Sequence, residues 1–420
     1  MTSEAPSPPQ TAYVWVWLPG ADRPVVAGRV DQRADRLIFG YGTSYQRRED
    51  AISLYDAELP LRAGSIEPPA GFNVANCLLD AAPDSWGRRV ITSRLLGRSV
   101  GNGDTGELSD LTYLLNAGSN RIGALDFQES ADEYVPRGDD SPSLEDLAEA
   151  SALIQAGETV PADLHEALIA GSSVGGARPK ALLQDGTRPL IAKFSSLTDT
   201  YPIVRGEFLA MRMAAHCGLT VAAVKLSSAH GKDVLLVDRF DRVPGTSQRR
   251  AVLSALTILG IPELSPYEAS YANLAQVIRE RFTDPQTTLR ELFSRITFNI
   301  LCGNTDDHAR NHAAFWDGHM LTLTPAYDIC PYLRGGGEAT QAMLIGPSGD
   351  GFRFSQVAGC VQRAPVYGLD RAEAREIVEA QLAAIAGHWE DVSDEARLTQ
   401  AERTMFARVF PHPYALEGFQ

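Results

Sequence analysis

The chain reads as an α+β protein of two lobes, and three observations carry that reading. Its 420 residues exceed what one hydrophobic core commonly organises. Segments of period-two apolar alternation are interleaved with segments of helical apolar spacing. The composition also shifts sharply between Glu129 and Glu158, where nine acidic residues face one arginine and Pro136, Gly138 and Pro142 punctuate the first half. That stretch is the best candidate boundary.

Met1 to Thr11 is polar and proline-rich, with neither a basic n-region nor an apolar h-region, and is expected to be a short disordered tail (1–11). A first subdomain is expected over 12–128. Tyr13 to Leu18 alternate aromatic and aliphatic residues, Gly20 to Pro24 break the run, and Val25 to Val30 can return as a partner strand. Asn73 to Asp80 and Trp86 to Leu96 carry helical spacing, with Pro83-Asp84-Ser85 as a capping signal for the second helix. Trp86 is read as a core anchor, and Arg88 and Arg89 as a solvated helix face. The acidic linker, 129–160, should end in structure, because Ser143 followed by Asp146 forms a capping-box pattern ahead of Leu144, Leu147 and Ile154. No internal repeat or heptad is present.

A further core, 161–245, begins at Ser172-Ser173-Val174-Gly175-Gly176-Ala177-Arg178-Pro179-Lys180. Two glycines beside serine, closing on a lysine, suit a loop whose backbone approaches phosphate; the glycine spacing is not that of a Walker loop. Asp185-Gly186 turns the next strand back into Leu190 to Lys193, leaving Lys193 between Ala192 and Phe194. Such a lysine is either an edge-strand lysine reaching solvent or a phosphate ligand oriented by a helix carboxylate. Val204, Phe208, Met211 and Ala215 mark the following helix, ended by Gly218, with Glu207 available for that ion pair. Val234 to Val237 form a buried strand that leads into Asp238-Arg239-Phe240-Asp241-Arg242, where a two-lobed kinase puts its hinge.

The last segment, 246–420, holds the densest chemistry. Leu289, Leu292, Phe293, Ile296 and Ile300 share one helix face and deliver the chain to Gly303. Asn304-Thr305-Asp306-Asp307-His308-Ala309-Arg310-Asn311 follows as a polar loop, then a hairpin over Ala313 to Leu323 turning at Asp317-Gly318, then Asp328. Phosphoryl transfer needs an acid to orient the attacking hydroxyl and oxygen ligands for magnesium. Asp306 and Asn311 have the Asp-x-x-x-x-Asn spacing of a kinase catalytic loop, and Asp328 stands where a second metal-binding aspartate is expected. Metal hydrolysis is the competitor, with Asp307, His308 and His312 as an acid-plus-histidine cluster. It requires a helix across 308–312.

Composition narrows the class. Hydrophobic residues make up 44% and charged residues 22%, and no apolar run approaches the roughly 20 residues that span a bilayer, so a cytoplasmic protein with no membrane association is expected. Five scattered cysteines without a C-x-x-C pair argue against a disulfide framework or a structural zinc site. A net charge of −15 disfavours sequence-independent nucleic-acid binding.

The runs Ser173 to Lys180, Val237 to Arg242, Asn304 to Asn311 and Leu323 to Ile329 resemble those of the HipA family of bacterial toxin kinases. Ala82 to Arg88 and Arg121-Ile122-Gly123-Ala124-Leu125-Asp126-Phe127 resemble that family's N-terminal subdomain, so the likeness spans about Tyr13 to His388. It implies an N-terminal β/α subdomain and a mostly helical C-terminal lobe enclosing ATP, in a fold distantly related to protein kinases. It further implies a serine/threonine kinase that phosphorylates a translation component such as an aminoacyl-tRNA synthetase. A DNA-binding HipB-type antitoxin is the implied partner, with DNA engaged only through it. By position, Asp306 is the implied catalytic base and Asn311 and Asp328 the Mg²⁺ ligands, with His308 beside the transferred phosphate. Ser173, Val174, Gly175, Gly176, Lys180 and Lys193 are implied at the ATP phosphates, and Asp238 and Phe240 beside adenine. Ser173, or its neighbour Ser172, matches an autophosphorylated loop serine. Many members carry Gln where this chain has Arg178 before Pro179-Lys180, and Pro179 stiffens the loop and removes a donor. A small-molecule or lipid kinase on the same fold, and a catalytically silent nucleotide-sensing partner of an antitoxin, are the alternative readings.

Overall fold

The computed structural model describes residues 9–96, 108–138, 143–158, 160–161, 164, 168, 178–196, 198–262, 265, 268–347 and 349–419. The chain forms two compact units. One comprises Met1–Leu197, Asp241–Val252 and Trp316–His319; the other comprises Thr198–Phe240, Leu253–Phe315 and Met320–Gln420. The acidic segment lies inside the first.

The first unit is built on an antiparallel sheet of β1 (Thr11–Val16), β2 (Val25–Arg33), β3 (Arg36–Tyr41), β4 (Ser65–Ile66) and β5 (Leu125–Gln128), ordered β4-β3-β2-β1-β5. Helices α1 (Ser85–Leu96), α2 (Asp110–Asn116) and α3 (Leu144–Ala156) follow, then the hairpin β6 (Lys180–Asp185) and β7 (Arg188–Phe194). The Ser143–Asp146 capping box forms as read, each residue's side chain accepting from the other's backbone N–H. Two readings need correction. Only Asn76–Leu79 of the 73–80 stretch is helical, because the Asn73 carbonyl is taken by the Leu37 N–H beside β3 and holds the chain out of the helix. Arg88 and Arg89 are half-buried rather than solvated: Arg88 pairs with Asp110 at 2.8 Å and lies over the Tyr113 ring, and Arg89 lies over the Trp86 ring.

The run Arg121 to Phe127 is a polar staple through this core. Arg121, fully buried, donates to Asp126 at 2.9 Å and to the carbonyls of Ala81, Ala117 and Leu114. Arg137, from the acidic segment, donates to the same carboxylate at 2.9 Å. Downstream, Asp241 accepts from the Gly123 N–H at 2.8 Å while Arg242 reaches the carbonyls of Arg121 and Gly123. Gly123 is left-handed, and a Cβ there would meet the Val252 nitrogen at 3.3 Å, so the turn admits no larger residue without strain.

The second unit contains α4 (Ile203–His216), the hairpin β8 (Val224–Ala229) and β9 (Lys232–Asp238), β10 (Ala251–Ser254) from Leu253 onward, α5 (Tyr271–Arg281), α6 (Pro285–Leu301), β11 (Ala313–Trp316) as far as Phe315, β12 (Leu321–Leu323) and the long α7 (Arg371–Glu395). His230 and Gly231, both left-handed, make the two-residue turn that matches strand twist. Helix α4 packs on β8, β9 and α7, and buries Val204, Phe208 and Met211 as expected; Ala215 is exposed, and Leu209, Met213 and Ala214 complete the buried face. Asp284 caps α6 with Pro285 at its first position, and all five residues of the anticipated stripe are buried between α5 and α7. Among the described residues no helix is long and apolar enough to cross a membrane. Four of the five cysteines are buried, and all are free thiols.

Burial alone pushes the Asp126 carboxyl pKa up, but the Arg121 and Arg137 guanidiniums outweigh it and hold the group below its usual value. Its stabilisation is therefore full above the ordinary carboxylate range and is lost as pH falls through the depressed pKa. Asp126→Ala, which strands a buried guanidinium, is expected to cost about 3–5 kcal/mol. Removing the exposed Arg29–Asp31 pair by Arg29→Ala should cost under about 1 kcal/mol. Thermal melts of the two variants at neutral pH and near pH 4 test both statements; equal losses would remove the staple from its role.

Candidate active site

Helix α6 is capped by Cys302, and Gly303 turns the chain in left-handed geometry where a Cβ would meet the Val409 carbonyl at 2.9 Å. The following loop is held from inside. Asp307, 3% exposed, accepts from Asn299 Nδ2 of α6 at 2.7 Å, from His312 Nε2 at 2.9 Å, and from the Tyr271 hydroxyl of α5. Asn304 reinforces this by donating to Asn299 Oδ1 at 2.9 Å. The phenol of Tyr271 is pushed well above its ordinary pKa, first by burial and then by the Asp307 charge, so it remains a donor. One turn of 3₁₀ helix, Ala309–Asn311, stands where a metal-hydrolase site needs an α-helix across 308–312, and His308 and His312 flank it in extended backbone. His312 is committed to Asp307 through Nε2.

With Asp307 turned inward, Asp306 is turned out and exposed. Asn311, buried, donates through Nδ2 to the Asp306 carbonyl at 3.3 Å, and its backbone N–H to the His308 carbonyl at 2.8 Å. The Tyr332 hydroxyl donates to Asp306 Oδ2 at 3.1 Å. His308 is half-buried, with Nδ1 enclosed and without a hydrogen-bond partner among the described residues.

Asp328 is tied to the same turn through its neighbour, since the Tyr327 hydroxyl donates to the Arg310 carbonyl at 2.7 Å. Ala326 exchanges backbone hydrogen bonds with Thr220 and Ala222, just past α4. The buried Arg295 of α6 donates to the carbonyls of Thr220 and Thr324 and pairs with Glu291. Asp328 itself has φ +59°, a left-handed geometry that aspartate tolerates better than most residues and that clusters at functional sites. Phe240, two residues past β9, packs its ring 5.6 Å from Tyr327 and 5.9 Å from Phe315. Asp238 is half-buried, its N–H donated to the Ala223 carbonyl at 2.9 Å. The second unit thus gathers Asp238, Phe240, Asp306, His308, Asn311 and Asp328, with Glu207 buried on α4.

The lysines belong to the first unit. Lys180 and Lys193 are directly opposite in the β6–β7 register, which puts both side chains on one face. Lys180 is buried with Nζ 2.5 Å from Asp84 Oδ2, and its carbonyl accepts from the Trp86 indole at 3.0 Å. Asp84 also caps α1, taking the Gly87 N–H on Oδ1 at 2.7 Å. Lys193 is half-buried. Ser172, Ser173, Val174, Gly175 and Gly176 lie outside the described residues. Sequence reasoning missed the inward roles of Asp307, Tyr271, Asn299 and Arg295; an arginine inside the apolar stripe of α6 was the one visible signal.

Tyr271→Phe removes one of three donors from the buried Asp307 carboxylate and is expected to cost about 1–3 kcal/mol. Asp307→Ala, which orphans all three donors, should cost more. Thermal melts decide it, and a Tyr271→Phe protein melting like the unsubstituted chain would show that the network does not hold the loop.

Residues 16–128 match the HipA N-terminal domain and residues 172–389 the HipA-like C-terminal domain. The chain is 27% identical over 347 residues to Y4mE of Sinorhizobium fredii, a protein described provisionally as a kinase, covering 75% of this chain and 76% of that one. It is also 27% identical over 183 residues to the serine/threonine-protein kinase toxin HipA of Shewanella oneidensis, covering 37% of this chain and 42% of the relative. A solved HipA chain, from a Shewanella oneidensis complex of HipA, HipB and operator DNA, shares the fold with a TM-score of 0.65 at 19% identity and 96% coverage of both chains. With both of the family's domains matched in order, and the α+β fold in common, this chain belongs to the HipA family.

Proposed function

We propose that this chain is an ATP- and Mg²⁺-dependent serine/threonine protein kinase. The observation that carries the reading is the single braced turn in the second unit: Asn311 holds the Asp306 carbonyl, and Tyr327 holds the Arg310 carbonyl beside Asp328. An outward acid, a carboxamide and a second carboxylate are what transfer to a hydroxyl requires. Asp306 orients the acceptor hydroxyl and takes its proton. The Asn311 amide is turned to Asp306 through nitrogen, which leaves its oxygen on the other side; with the Asp328 carboxylate it offers the oxygen donors a hard cation prefers. Mg²⁺, when bound, neutralises charge on the β- and γ-phosphates. Lys193, Lys180 and the Ser173 to Gly176 loop are the proposed phosphate-binding residues, with Glu207 as the proposed carboxylate for Lys193; Asp238 and Phe240 are proposed for adenine and His308 for the transferred phosphoryl group.

The acceptor is a protein, and a translation component such as an aminoacyl-tRNA synthetase is the proposed class. A HipB-like DNA-binding antitoxin is the proposed partner. Support for it comes from the related HipA, which was solved together with HipB and operator DNA.

Asp306→Asn is expected to keep Mg-ATP binding but to slow transfer by roughly 10²–10⁴-fold, whereas Asp328→Asn weakens Mg-ATP binding as well. Calorimetry measures the first property. Labelled ATP with a bacterial lysate measures the second, and mass spectrometry of the labelled product names the acceptor. Unchanged transfer in Asp306→Asn would sink the assignment.

Prolonged incubation with Mg-ATP is further expected to place phosphate on Ser173, adding about −1.5 to −2 charge beside the nucleotide and weakening its binding. Asp306→Asn should stay unmodified. Phosphate found only on Ser172 would move the site by one residue and end the Ser173 assignment.

A further inference from the structure

The segment after Asp328 returns to the candidate base. Pro331 is fixed by the Tyr201 hydroxyl on its carbonyl at 3.3 Å, and the Tyr332 N–H is donated to the Gly303 carbonyl at 3.0 Å. The backbone of Tyr332 is thereby pinned to the start of the candidate catalytic loop. Its side chain then reaches Asp306, donating its hydroxyl to Oδ2 at 3.1 Å. A general base must stand about 2.6–3.2 Å from the hydroxyl whose proton it takes, and Tyr332 meets that condition on the same carboxylate.

Resting on the kinase reading of Asp306, we infer that Tyr332 is a built-in occupant of the acceptor position, a pseudo-substrate hydroxyl that an incoming acceptor must displace. Three further observations favour a removable occupant. The residue is 40% exposed, so no packed core retains it. Gly335, Gly336 and Gly337 follow it, and a Cβ at any of them would meet nothing within 4 Å, so the chain beyond Tyr332 has room to rearrange. Burial, and then the Asp306 charge, push the phenol well above its ordinary pKa, so it is a neutral donor and adds no charge to the site. An acceptor serine or threonine hydroxyl can replace that donor one for one.

The test uses the full chain and Mg-ATP alone, with water as the acceptor. In hydrolysis a water oxygen bonds to the γ-phosphorus, the bond from that phosphorus to the bridging oxygen of ADP breaks, and the water proton passes to Asp306. Removing the occupying hydroxyl opens the carboxylate to water. Tyr332→Phe is expected to raise the turnover of ATP to ADP and phosphate by about three- to tenfold, the scale of one lost hydrogen bond to a charged group that is partly exposed. The affinity for a non-hydrolysable ATP analogue, measured by calorimetry, should not change. Tyr332→Ala should do the same, and Asp306→Asn/Tyr332→Phe should show no gain. Turnover that stays level or falls in Tyr332→Phe while nucleotide binding is intact overturns the inference, and in the latter case makes Tyr332 a positioning residue for Asp306. Phosphate found on Tyr332 by mass spectrometry overturns it differently, by making the residue an acceptor. If neither the unsubstituted chain nor any variant binds the nucleotide, the kinase reading itself fails and the inference falls with it.

Discussion

The second unit is arranged around one buried carboxylate. Asp307 brings a charge into the interior, which is tolerable only when donors converge on it. Three do, from three elements: Tyr271 of α5, Asn299 near the end of α6, and His312 at the entry to β11. Because one residue is held inward at that point, its neighbour Asp306 is presented outward, and the 3₁₀ turn that follows starts from a fixed place. The chemistry assigned to Asp306 thus depends on the solvation of the residue beside it.

Both units solve a second problem in the same way. Irregular segments leave backbone carbonyls without partners, and buried ones must find donors. In the first unit Arg121 collects the carbonyls of Ala81, Leu114 and Ala117; in the second, Arg295 collects those of Thr220 and Thr324. A guanidinium has five N–H donors in a fixed fork, so one buried arginine can anchor several loops at once. Each is balanced by a carboxylate, Asp126 or Glu291, and in the second unit one of the two anchored segments, that of Thr324, carries Tyr327 and Asp328.

Much of this was legible in the sequence because it follows from periodicity and turn chemistry. The stripe of α6, the hairpins at Gly186 and Asp317-Gly318, the Ser143 capping box and the order of Asp306, Asn311 and Asp328 are all local signals. What was not legible depends on long-range pairing. Nothing near Asp307 announces that Tyr271, 36 residues earlier, will bind it, and a carboxylate beside histidines reads equally well as a metal ligand. The half-buried state of Arg88 depends on α2 packing beside it, and the short helix at Asn76–Leu79 on a carbonyl claimed by a distant strand. Composition marked 129–158 as a boundary, yet Arg137 and Tyr134 bind Asp126 and tie the described part of that stretch to the first unit.

Asp84 has one oxygen on the N-terminus of α1 and the other on Lys180. The two residues fall in different family domains, 16–128 and 172–389, yet in one compact unit. A C-terminal half expressed alone, or joined to a foreign N-terminal partner, would lose the carboxylate that meets the Lys180 ammonium. The seam by which sequence comparison divides the protein is therefore a poor place to cut it, and swaps between relatives can be expected to succeed only when the aspartate and the lysine travel together.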